Sequence, residues 1–545
     1  MNKSVTLTIF LVFQLLFSLR HVVSQNSPFV LRNATLPDLG FSAAAWGDYD
    51  GDGDLDLAMN GTLAMIPVTR ILQNDSGWFT TLPANLFGLH QGSVNWADYD
   101  LDGDLDLVVT GMDTGGLPYT HLIRNDSGTF AETGISLPGM SDGTATWGDY
   151  NNDGLPDLLI AGNLMSAIYR NAGDSGFINI NAQLPAVQSP MAAWCDYNND
   201  GWSDLMICGD TGGGFISSLF RNDEGTFHEV TVSPEPFMGL YSGGLRWSDL
   251  DLDGDQDLVI SGMDLYIDAY LLAYRNDGND HFTRFTFQEG NFLGGALDLG
   301  DYNADGLPDL VVMGRTPGCG GTASTLLFEN QGYMNFFPVS TLIPGYKQGA
   351  VLWGDYNNDG FSDLLFTGMD GFDNERTSLY LNTLGDTLFR PNTPPSAPEN
   401  PGVIISGSET LLVWDRATDA VTPSSSLTYN LMIGTSPELA NILSPLSDPV
   451  TGLRLVAADG NVSGDTSWPV RGLTPGTYYF RVQAVDNGFL GGAFSVTGMF
   501  TYVPVGMGTP FPHEIRVFPN PSKDFVTIQL PLEFQDGTVT ISDLS

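Results

Sequence analysis

One nine-residue pattern occurs seven times in this chain and restricts what the chain can fold into. The first copy is Asp48-Tyr-Asp-Gly-Asp-Gly-Asp-Leu-Asp56. Every copy has Asp at positions 1, 5 and 9, Asp or Asn at position 3, and Gly at position 6. We number the copies as loops 1 to 7 by their first residues, which are Asp48, Asp98, Asp149, Asp196, Asp249, Asp301 and Asp355.

This pattern is typical of a loop that encloses a hard cation. Calcium takes about six to eight oxygen ligands, and side chains at positions 1, 3 and 5 of a tight loop converge on one point. A backbone carbonyl at position 7 adds to them, and Gly at position 6 permits the sharp turn. Position 12, where an EF-hand has its bidentate Glu, is apolar in every copy, as at Met59 and Phe366. We therefore expect the Asp at position 9 to complete the site.

The predicted ligands are the side chains at positions 1, 3, 5 and 9, with the carbonyl of position 7. Loops 1, 2 and 5 offer four carboxylates, whereas loops 3, 4, 6 and 7 have Asn at position 3, so we expect tighter binding in the first group. Up to seven structural Ca²⁺ ions are predicted in this way. The residues concerned are Asp48, Asp50, Asp52, Asp54 and Asp56; Asp98, Asp100, Asp102, Asp104 and Asp106; Asp149, Asn151, Asp153 and Asp157; Asp196, Asn198, Asp200 and Asp204; Asp249, Asp251, Asp253 and Asp257; Asp301, Asn303, Asp305 and Asp309; Asp355, Asn357, Asp359 and Asp363.

The chain between the loops predicts four short strands per repeat. An apolar run follows each loop, a third run ends in Asn, as at Arg124-Asn125, and a Phe opens a fourth run. Successive loops start 50, 51, 47, 53, 52 and 54 residues apart. Four-stranded units at this period indicate an all-β fold with a seven-bladed β-propeller over residues 28–390. The segment Phe29–Leu36 can supply the fourth strand of the last blade, but Phe389 competes for that place.

Strand alternation predicts two unlike faces for this propeller. The seven loops join first and second strands, so they lie on one face. The connections on the other face are longer and more variable, and we expect ligand binding there. Exposed-looking groups on that face are His90, Asp113, Tyr119, Asp142, Tyr241, Asp264, Tyr266, Arg315, Tyr346, Lys347, Asp370, Phe372 and Arg376.

Charge and targeting segments predict an exported protein. The net charge of −44 disfavours nucleic acid and anionic membranes as partners. Residues 1–24 have the pattern of a signal peptide, with Lys3 before the apolar run Val5–Leu19, and no later segment is a candidate membrane span. With three cysteines, no disulfide framework is expected. Cys195 and Cys208 either pair or remain two buried thiols, and Cys319 is unpaired.

A change of composition marks the end of the repeats. Residues 391–401 form a Pro-rich linker, and residues 402–503 alternate as strands of a β-sandwich. The segment from Ile515 to Ser545 begins another β unit that is too short for a core of its own, so we expect a partial domain.

The loops resemble the FG-GAP or VCBS repeats of integrin α-chain propellers and their bacterial relatives. This resemblance covers residues 28–390 and implies the same calcium ligands, with Asp54 giving its carbonyl. Residues 402–503 look like a fibronectin type III domain, with Trp414 as its core tryptophan and Tyr479 at the tyrosine corner. Residues 515–545, with Val-Phe-Pro-Asn-Pro-Ser522, look like the start of a C-terminal sorting domain of the bacterial type IX secretion system. That likeness implies this secretion machinery as a partner and a cell-surface or extracellular location.

The sequence contains no recognisable catalytic set. The six histidines have no zinc-protease spacing, and Gly139-Met-Ser-Asp-Gly143 matches a nucleophile elbow without the helix that should follow it. We therefore favour a non-enzymatic adhesion or recognition module for an extracellular glycan or protein. The alternative is a polysaccharide lyase or hydrolase built on a calcium-stabilised propeller, with its acids on the variable face.

Overall fold

The computed structural model describes residues 27–318, 321–386, 388–406 and 409–502, with two further strands at Arg516–Val517 and Ile528–Gln529. These residues form an all-β propeller followed by a β-sandwich. One 3-10 helix, Gly173–Ser175, is the helical element in the part of the chain that is described. None of those residues forms a helix long and apolar enough to cross a membrane. The predicted signal peptide, Cys319 and most of the predicted sorting domain lie outside the described residues.

Seven four-stranded antiparallel sheets are present within the described residues. Sheets 1 to 7 each contain the loop of the same number between their first and second strands. Their strands are β2 (Gly40–Gly47), β3 (Asp56–Leu63), β4 (Ile66–Asp75) and β5 (Trp78–Thr81); β6 (Val94–Ala97), β7 (Asp106–Met112), β8 (Pro118–Asp126) and β9 (Thr129–Glu132); β10 (Thr144–Gly148), β11 (Asp157–Gly162), β12 (Met165–Asn171) and β13 (Phe177–Asn179); β14 (Gln188–Cys195), β15 (Asp204–Asp210), β16 (Phe215–Asp223) and β17 (Thr226–Glu229); β18 (Leu245–Ser248), β19 (Asp257–Met263), β20 (Ala269–Asn276) and β21 (Phe282–Thr286); β22 (Leu293–Gly300), β23 (Asp309–Arg315), β24 (Ala323–Asn330) and β25 (Phe336–Val339); β26 (Val351–Gly354), β27 (Asp363–Met369), β28 (Glu375–Asn382) and β1 (Phe29–Arg32).

The N-terminal strand β1 completes sheet 7. It pairs antiparallel with β28, with Phe29 opposite Asn382. The Phe29 ring lies 5.8 Å from the rings of Tyr302 and Trp353 and is buried. Phe389 packs instead against Tyr356, at 5.5 Å between ring centroids. The first of the two candidate strands is therefore the one used, and the start of the repeat region is hydrogen-bonded to its end.

Neighbouring sheets pack through their first strands and through aromatic side chains. The first strand of each sheet contacts that of the next, and β26 of sheet 7 contacts β2 of sheet 1. In some loops the Tyr at position 2 stacks on the Trp that precedes the next loop: Tyr49 on Trp96, Tyr99 on Trp147 and Tyr302 on Trp353, with interplanar angles of 14°, 5° and 12°. The contact gives Trp96, Trp147 and Trp353 a packing role between neighbouring sheets.

Residues 402–502 form two three-stranded antiparallel sheets around their own core, which includes Trp414. The expected tyrosine corner is displaced by one residue. Tyr478, and not Tyr479, is buried and donates its hydroxyl to the carbonyl oxygen of Thr474 at 2.8 Å. Strand alternation sends Tyr478 inward with Phe480, so Tyr479 faces outward. The strands are β29 (Gly402–Ser406), β30 (Glu409–Val413) and β32 (Ser467–Val470), then β31 (Thr428–Gly434), β33 (Gly476–Val485) and β34 (Gly498–Tyr502); β35 (Arg516–Val517) pairs with β36 (Ile528–Gln529).

Candidate functional site

The seven loops share one backbone conformation, which is stabilised by hydrogen bonds to the Asp side chain at position 1. In loop 1, Oδ1 of Asp48 accepts the N–H of Asp52 at 3.1 Å and Oδ2 accepts the N–H of Gly53 at 2.9 Å. The same two bonds recur in the other six loops. Gly at position 6 has φ between +85° and +95° throughout, which a residue with a Cβ rarely adopts. These bonds point both carboxylate oxygens of position 1 into the loop.

The Asp at position 9 ties each loop to the rest of its sheet. Oδ1 of Asp106 accepts the N–H of Asn125 at 2.8 Å, and Oδ2 accepts the N–H of Tyr99 at 3.2 Å. The side-chain amide of Asn125 then donates to the carbonyl of Tyr49 in the preceding sheet at 3.0 Å. An Asn does the same in every sheet: Asn74, Asn125, Asn171, Asn222, Asn276, Asn330 and Asn382.

These seven Asn residues are functional positions that sequence reasoning missed. The sequence contains a signal for them, because an Asn ends the third run of every repeat. All seven are buried, and their amides join one sheet to the next. Asn suits the position because it combines a donor for the neighbouring carbonyl with an acceptor for a turn N–H, as in the bond from Gly128 to Oδ1 of Asn125.

Three loops bring three carboxylates within reach of a single ion. One oxygen from each residue lies within 4.8 Å of the others in loops 1, 2 and 5. These are the loops with Asp at position 3. The position 5 carboxylates Asp52, Asp102 and Asp253 are not part of these clusters, and Oδ1 of each accepts the N–H of position 7. The clusters are Asp48, Asp50 and Asp56; Asp98, Asp100 and Asp106; Asp249, Asp251 and Asp257.

Asn at position 3 changes the interior of the other loops. The side-chain amides of Asn151, Asn198 and Asn357 each donate to Oδ2 of the position 5 Asp, at 2.9, 3.0 and 3.1 Å. One amide thereby replaces a carboxylate and also hydrogen-bonds its neighbour. Loops 3, 4, 6 and 7 therefore offer one carboxylate fewer than loops 1, 2 and 5, as their sequences require.

The chemistry of the loops fits an oxygen-ligated cation. Burial, together with repulsion from neighbouring Asp residues, raises the pKa of Asp56 and Asp309 to about 9 and that of Asp106 to about 8. Within the described residues, buried loop oxygens without a hydrogen-bond partner include Oδ2 of Asp204, Oδ2 of Asp363 and Oδ1 of Asn357. A hard cation stabilises both kinds of group, the clustered carboxylates that repel one another and the buried oxygens that lack a donor.

The sandwich covers the face of the propeller that carries the loops. Oγ of Ser426 donates to Oδ2 of Asp301 at 2.8 Å, and the Arg471 guanidinium contacts Oδ1 of Asp255 at 2.6 Å. Loops 2 to 7 all hydrogen-bond to the sandwich. Val456 is buried in the same cluster as Trp147, so the contact is also apolar. This face is therefore not free to bind a partner across the loops that the sandwich contacts.

A cavity of about 550 Å³ separates the sandwich from the first strands of the sheets. It contains an ion pair between Arg246 and Asp298 at 2.8 Å, with Arg454 and Asp459 entering from the sandwich. Burial and the nearby Asp298 carboxylate raise the pKa of Asp459 to about 6, against the opposing effect of Arg454 and Arg246. Burial lowers the pKa of Arg454 to about 10.

We call the opposite face the free face. It carries the hairpin tips that join the second and third strands of each sheet, and the connections between sheets. Tyr266 and Phe372 at two of these tips are 81% and 89% exposed. Three other residues expected to be exposed are buried: Tyr346, in the cluster of Val351 and Trp353, and Asp264 and Lys347, each at 9% exposure. Tyr346 packs into that core, Lys347 pairs its ammonium with the exposed Asp373, and Asp264 accepts two N–H groups of its own turn.

The other candidates from the sequence have structural roles. Ser141, in the elbow-like stretch, donates its hydroxyl to Oδ1 of Asn163 at 2.7 Å, and a strand follows it. Cys195 and Cys208 are free thiols and lie opposite Asp204 and Met191 on paired strands. Their positions in the sheet resolve the open alternative in favour of unpaired thiols.

The repeats match a known family. A family profile described as FG-GAP-like repeat matches residues 98–160, 149–207, 196–260, 249–312 and 301–366. Each match begins at one loop, continues through the next loop and ends in the strand that follows that second loop. Loop 1 lies outside these matches, although it has the same hydrogen bonds as the other loops. A search of curated proteins found no match.

Solved structures are similar to this chain at low identity. BBS1N in complex with ARL6DN is 12% identical, with a TM-score of 0.42, over 66% of this chain and 98% of that one. The extracellular domain of the hybrid two-component system BT3049 of B. thetaiotaomicron is 12% identical, with a TM-score of 0.38, over 87% and 57%. An Agrocybe aegerita lectin that recognises non-reducing terminal N-acetylglucosamine is 18% identical, with a TM-score of 0.37, over 55% and 79%.

Proposed function

Because residues 98–366 carry FG-GAP-like repeats on an all-β propeller, we propose that this chain is a calcium-stabilised module that recognises an extracellular glycan or protein through its free face. One observation carries this proposal: the sandwich covers the loop face and leaves the free face open, with rigid hairpin tips that expose aromatic side chains. Variable connections on a rigid scaffold are where binding residues usually lie.

The proposal includes the metal and the domain organisation. We infer that the seven sheets are the blades of one seven-bladed propeller and that loops 1 to 7 hold Ca²⁺ in a structural role. When bound, the cation would neutralise the clustered carboxylates and so favour the folded loops. The side chains at positions 1, 3, 5 and 9 would hold it. The sandwich is proposed as a fibronectin type III-like spacer.

Export is part of the same proposal. The signal-peptide pattern of residues 1–24 and the sorting-domain likeness of residues 515–545 support delivery through the type IX machinery to the cell surface or medium. A net charge of −44 suits an extracellular protein whose acids bind calcium. Fractionation of cells that express the chain, with and without residues 515–545, tests this part.

The recognition proposal is tested on glycan and extracellular-protein arrays in millimolar calcium. The test variant replaces three exposed tip residues of the free face, Met65, Leu117 and Phe372, with Ser. A control variant, Val450→Ser, changes a residue that is 92% exposed on the sandwich. We expect array binding by wild type and by the control, and loss of binding by the triple variant. Equal binding by all three proteins would refute a role for the free face.

A further inference from the structure

A recess of about 590 Å³ opens on the free face, where β1 closes sheet 7. Its walls come from the segment after β1, the connection before sheet 7, and the hairpin tip between β27 and β28. Tyr346 and Tyr380 form a buried floor, with 3.3 Å between their hydroxyl oxygens. The volume is within the range of roughly 300–1,000 Å³ that is common for small-ligand sites.

Phe372 stands at the edge of this recess on a rigid tip. Oδ1 of Asp370 accepts the N–H of Phe372 at 2.7 Å and that of Asn374 at 3.0 Å, and so fixes the turn. The ring is 89% exposed. An apolar ring on a hydrogen-bonded turn costs little conformational entropy when a ligand packs on it, because the turn is already ordered.

Sheet 5 has the same turn without the recess. Oδ1 of Asp264 accepts the N–H groups of Tyr266 and Asp268, both at 2.9 Å, and Tyr266 is 81% exposed. Tyr266 does not line the recess. It is therefore a matched comparison for Phe372, with the same backbone support and a similar exposure.

The polar wall of the recess is a charge-balanced group centred on Arg376. This guanidinium lies 3.4 Å from Oδ2 of Asp38 and 3.6 Å from Oδ2 of Asp370, and half of its side chain remains exposed. Oδ1 of Asp38 accepts the N–H of Thr377 at 3.0 Å, which holds that carboxylate in place. With Arg32, the recess has two arginines and two aspartates, so its formal charges cancel.

We propose that this recess binds a neutral saccharide unit, an inference that rests on the proposed recognition function and names its site. A pyranose has an apolar C–H face that can pack on Phe372 and hydroxyl groups that both donate and accept. Arg376 supplies donors, and Asp38 and Asp370 supply acceptors within the same wall. A cancelled charge gives an anionic sugar no advantage over a neutral one. A recess of this size beside a single ring suits a small ligand better than a broad protein surface.

The test uses the full chain in millimolar calcium. Probes are neutral oligosaccharides (cello-, xylo-, malto-, manno- and chito-oligosaccharides) and two acidic ones, oligogalacturonate and sialyllactose. The tightest neutral probe is then titrated by calorimetry into wild type, Phe372→Ala, Phe372→Tyr, Arg376→Ala and Tyr266→Ala. Thermal unfolding of each variant in calcium checks that it is folded.

We expect about tenfold weaker binding for Phe372→Ala and for Arg376→Ala, since each loses an interaction worth about 1.4 kcal/mol. Phe372→Tyr should retain binding, because it keeps the ring, and Tyr266→Ala should match wild type. Saccharide binding that is unchanged in Phe372→Ala and Arg376→Ala would overturn the assignment of the recess and leave free-face recognition standing. Preference for the acidic probes, or no binding of any saccharide by the folded protein, would overturn the ligand class. In the latter case, retained binding on the protein array would still support the proposed function.

Discussion

The side-chain amide of Asn125 donates a 3.0 Å hydrogen bond to the backbone carbonyl of Tyr49, across the boundary between sheets 2 and 1. The same residue's backbone N–H donates to Oδ1 of Asp106, which closes its own loop. One Asn therefore links the predicted metal loop of its sheet to the preceding sheet. Since every sheet repeats this link, loop geometry and sheet packing are expected to be coupled around the whole propeller.

Replacement of Asn125 by Ala removes the link and leaves the Tyr49 carbonyl without this donor in a buried site. We expect the free energy of unfolding to fall by about 1–3 kcal/mol, measured by urea denaturation in calcium. Arg124→Ala is the control, because Arg124 forms a salt bridge with Asp126 at the surface and such pairs contribute little. An Asn125→Ala variant as stable as the control would contradict the proposed link.

Metal binding is tested at loop 2. Asp100→Ala removes one of the three clustered carboxylates, so we expect one calcium fewer per chain and a smaller calcium-dependent rise in melting temperature. Stoichiometry is measured by elemental analysis after dialysis, and the melting temperature with EGTA or millimolar calcium. Asp75→Ala changes an exposed acid outside the clusters and should behave as wild type. If calcium raised the melting temperature of Asp100→Ala as much as that of wild type, Asp100 would not be a ligand.

Removal of calcium should also loosen the sandwich. Its hydrogen bonds to loops 2 to 7 include those from Ser426 to Asp301 and from Arg471 to Asp255, so distortion of the loops disturbs the contact. We expect a larger radius of gyration in EGTA than in calcium by small-angle X-ray scattering. Arg471→Ala should expand at a higher calcium concentration than wild type. Identical scattering curves in EGTA and calcium would show that docking is independent of the metal.

The pH dependence of stability is expected to include Asp459. Its pKa is raised to about 6 in the folded protein, mainly by burial, from an ordinary value of 3.8. Between these two pH values the folded state therefore binds more protons than the unfolded state. The contribution of Asp459 to folding stability is fully present below pH 3.8 and is lost as the pH rises through about 6.

Asp459→Asn mimics the protonated side chain and should remove this loss. The variant's advantage in melting temperature over wild type is expected to be larger at pH 8 than at pH 5, with calcium present at both. Differential scanning calorimetry measures it. An advantage that is the same at both pH values would mean that Asp459 does not titrate in this range in the folded protein.

Closure of sheet 7 depends on Phe29. Its ring is buried between Tyr302 and Trp353, so Phe29→Ala should reduce the free energy of unfolding by about 3–5 kcal/mol. Val30 on the same strand is half exposed, and Val30→Ala should change the free energy of unfolding by less than about 0.5 kcal/mol. Chemical denaturation compares the two. A small effect of Phe29→Ala would indicate that the pairing of β1 with sheet 7 contributes little to the stability of the propeller.

The sequence by itself determined the features that repeat at short range. The nine-residue loops, the strand that follows each of them and the Gly at position 6 depend on residues close together in the chain, so local chemistry is enough to predict them. The difference between loops with Asp50 and those with Asn151 at position 3 could be read in the same way, and the three carboxylate clusters occur where Asp is present. The choice between β1 and Phe389 could be stated as two alternatives but not decided.

Tertiary structure decided everything that joins distant parts of the chain. The partner of the Asn125 amide lies 76 residues away, and that of Arg471 lies 216 residues away, so no local pattern contains them. Coverage of the loop face by the sandwich, and the recess formed by Asp38 and Arg376, likewise depend on segments that folding alone brings together. Tyr478 occupies the corner expected for Tyr479 because inward and outward positions alternate along a strand, and only packing sets which of the two faces the core.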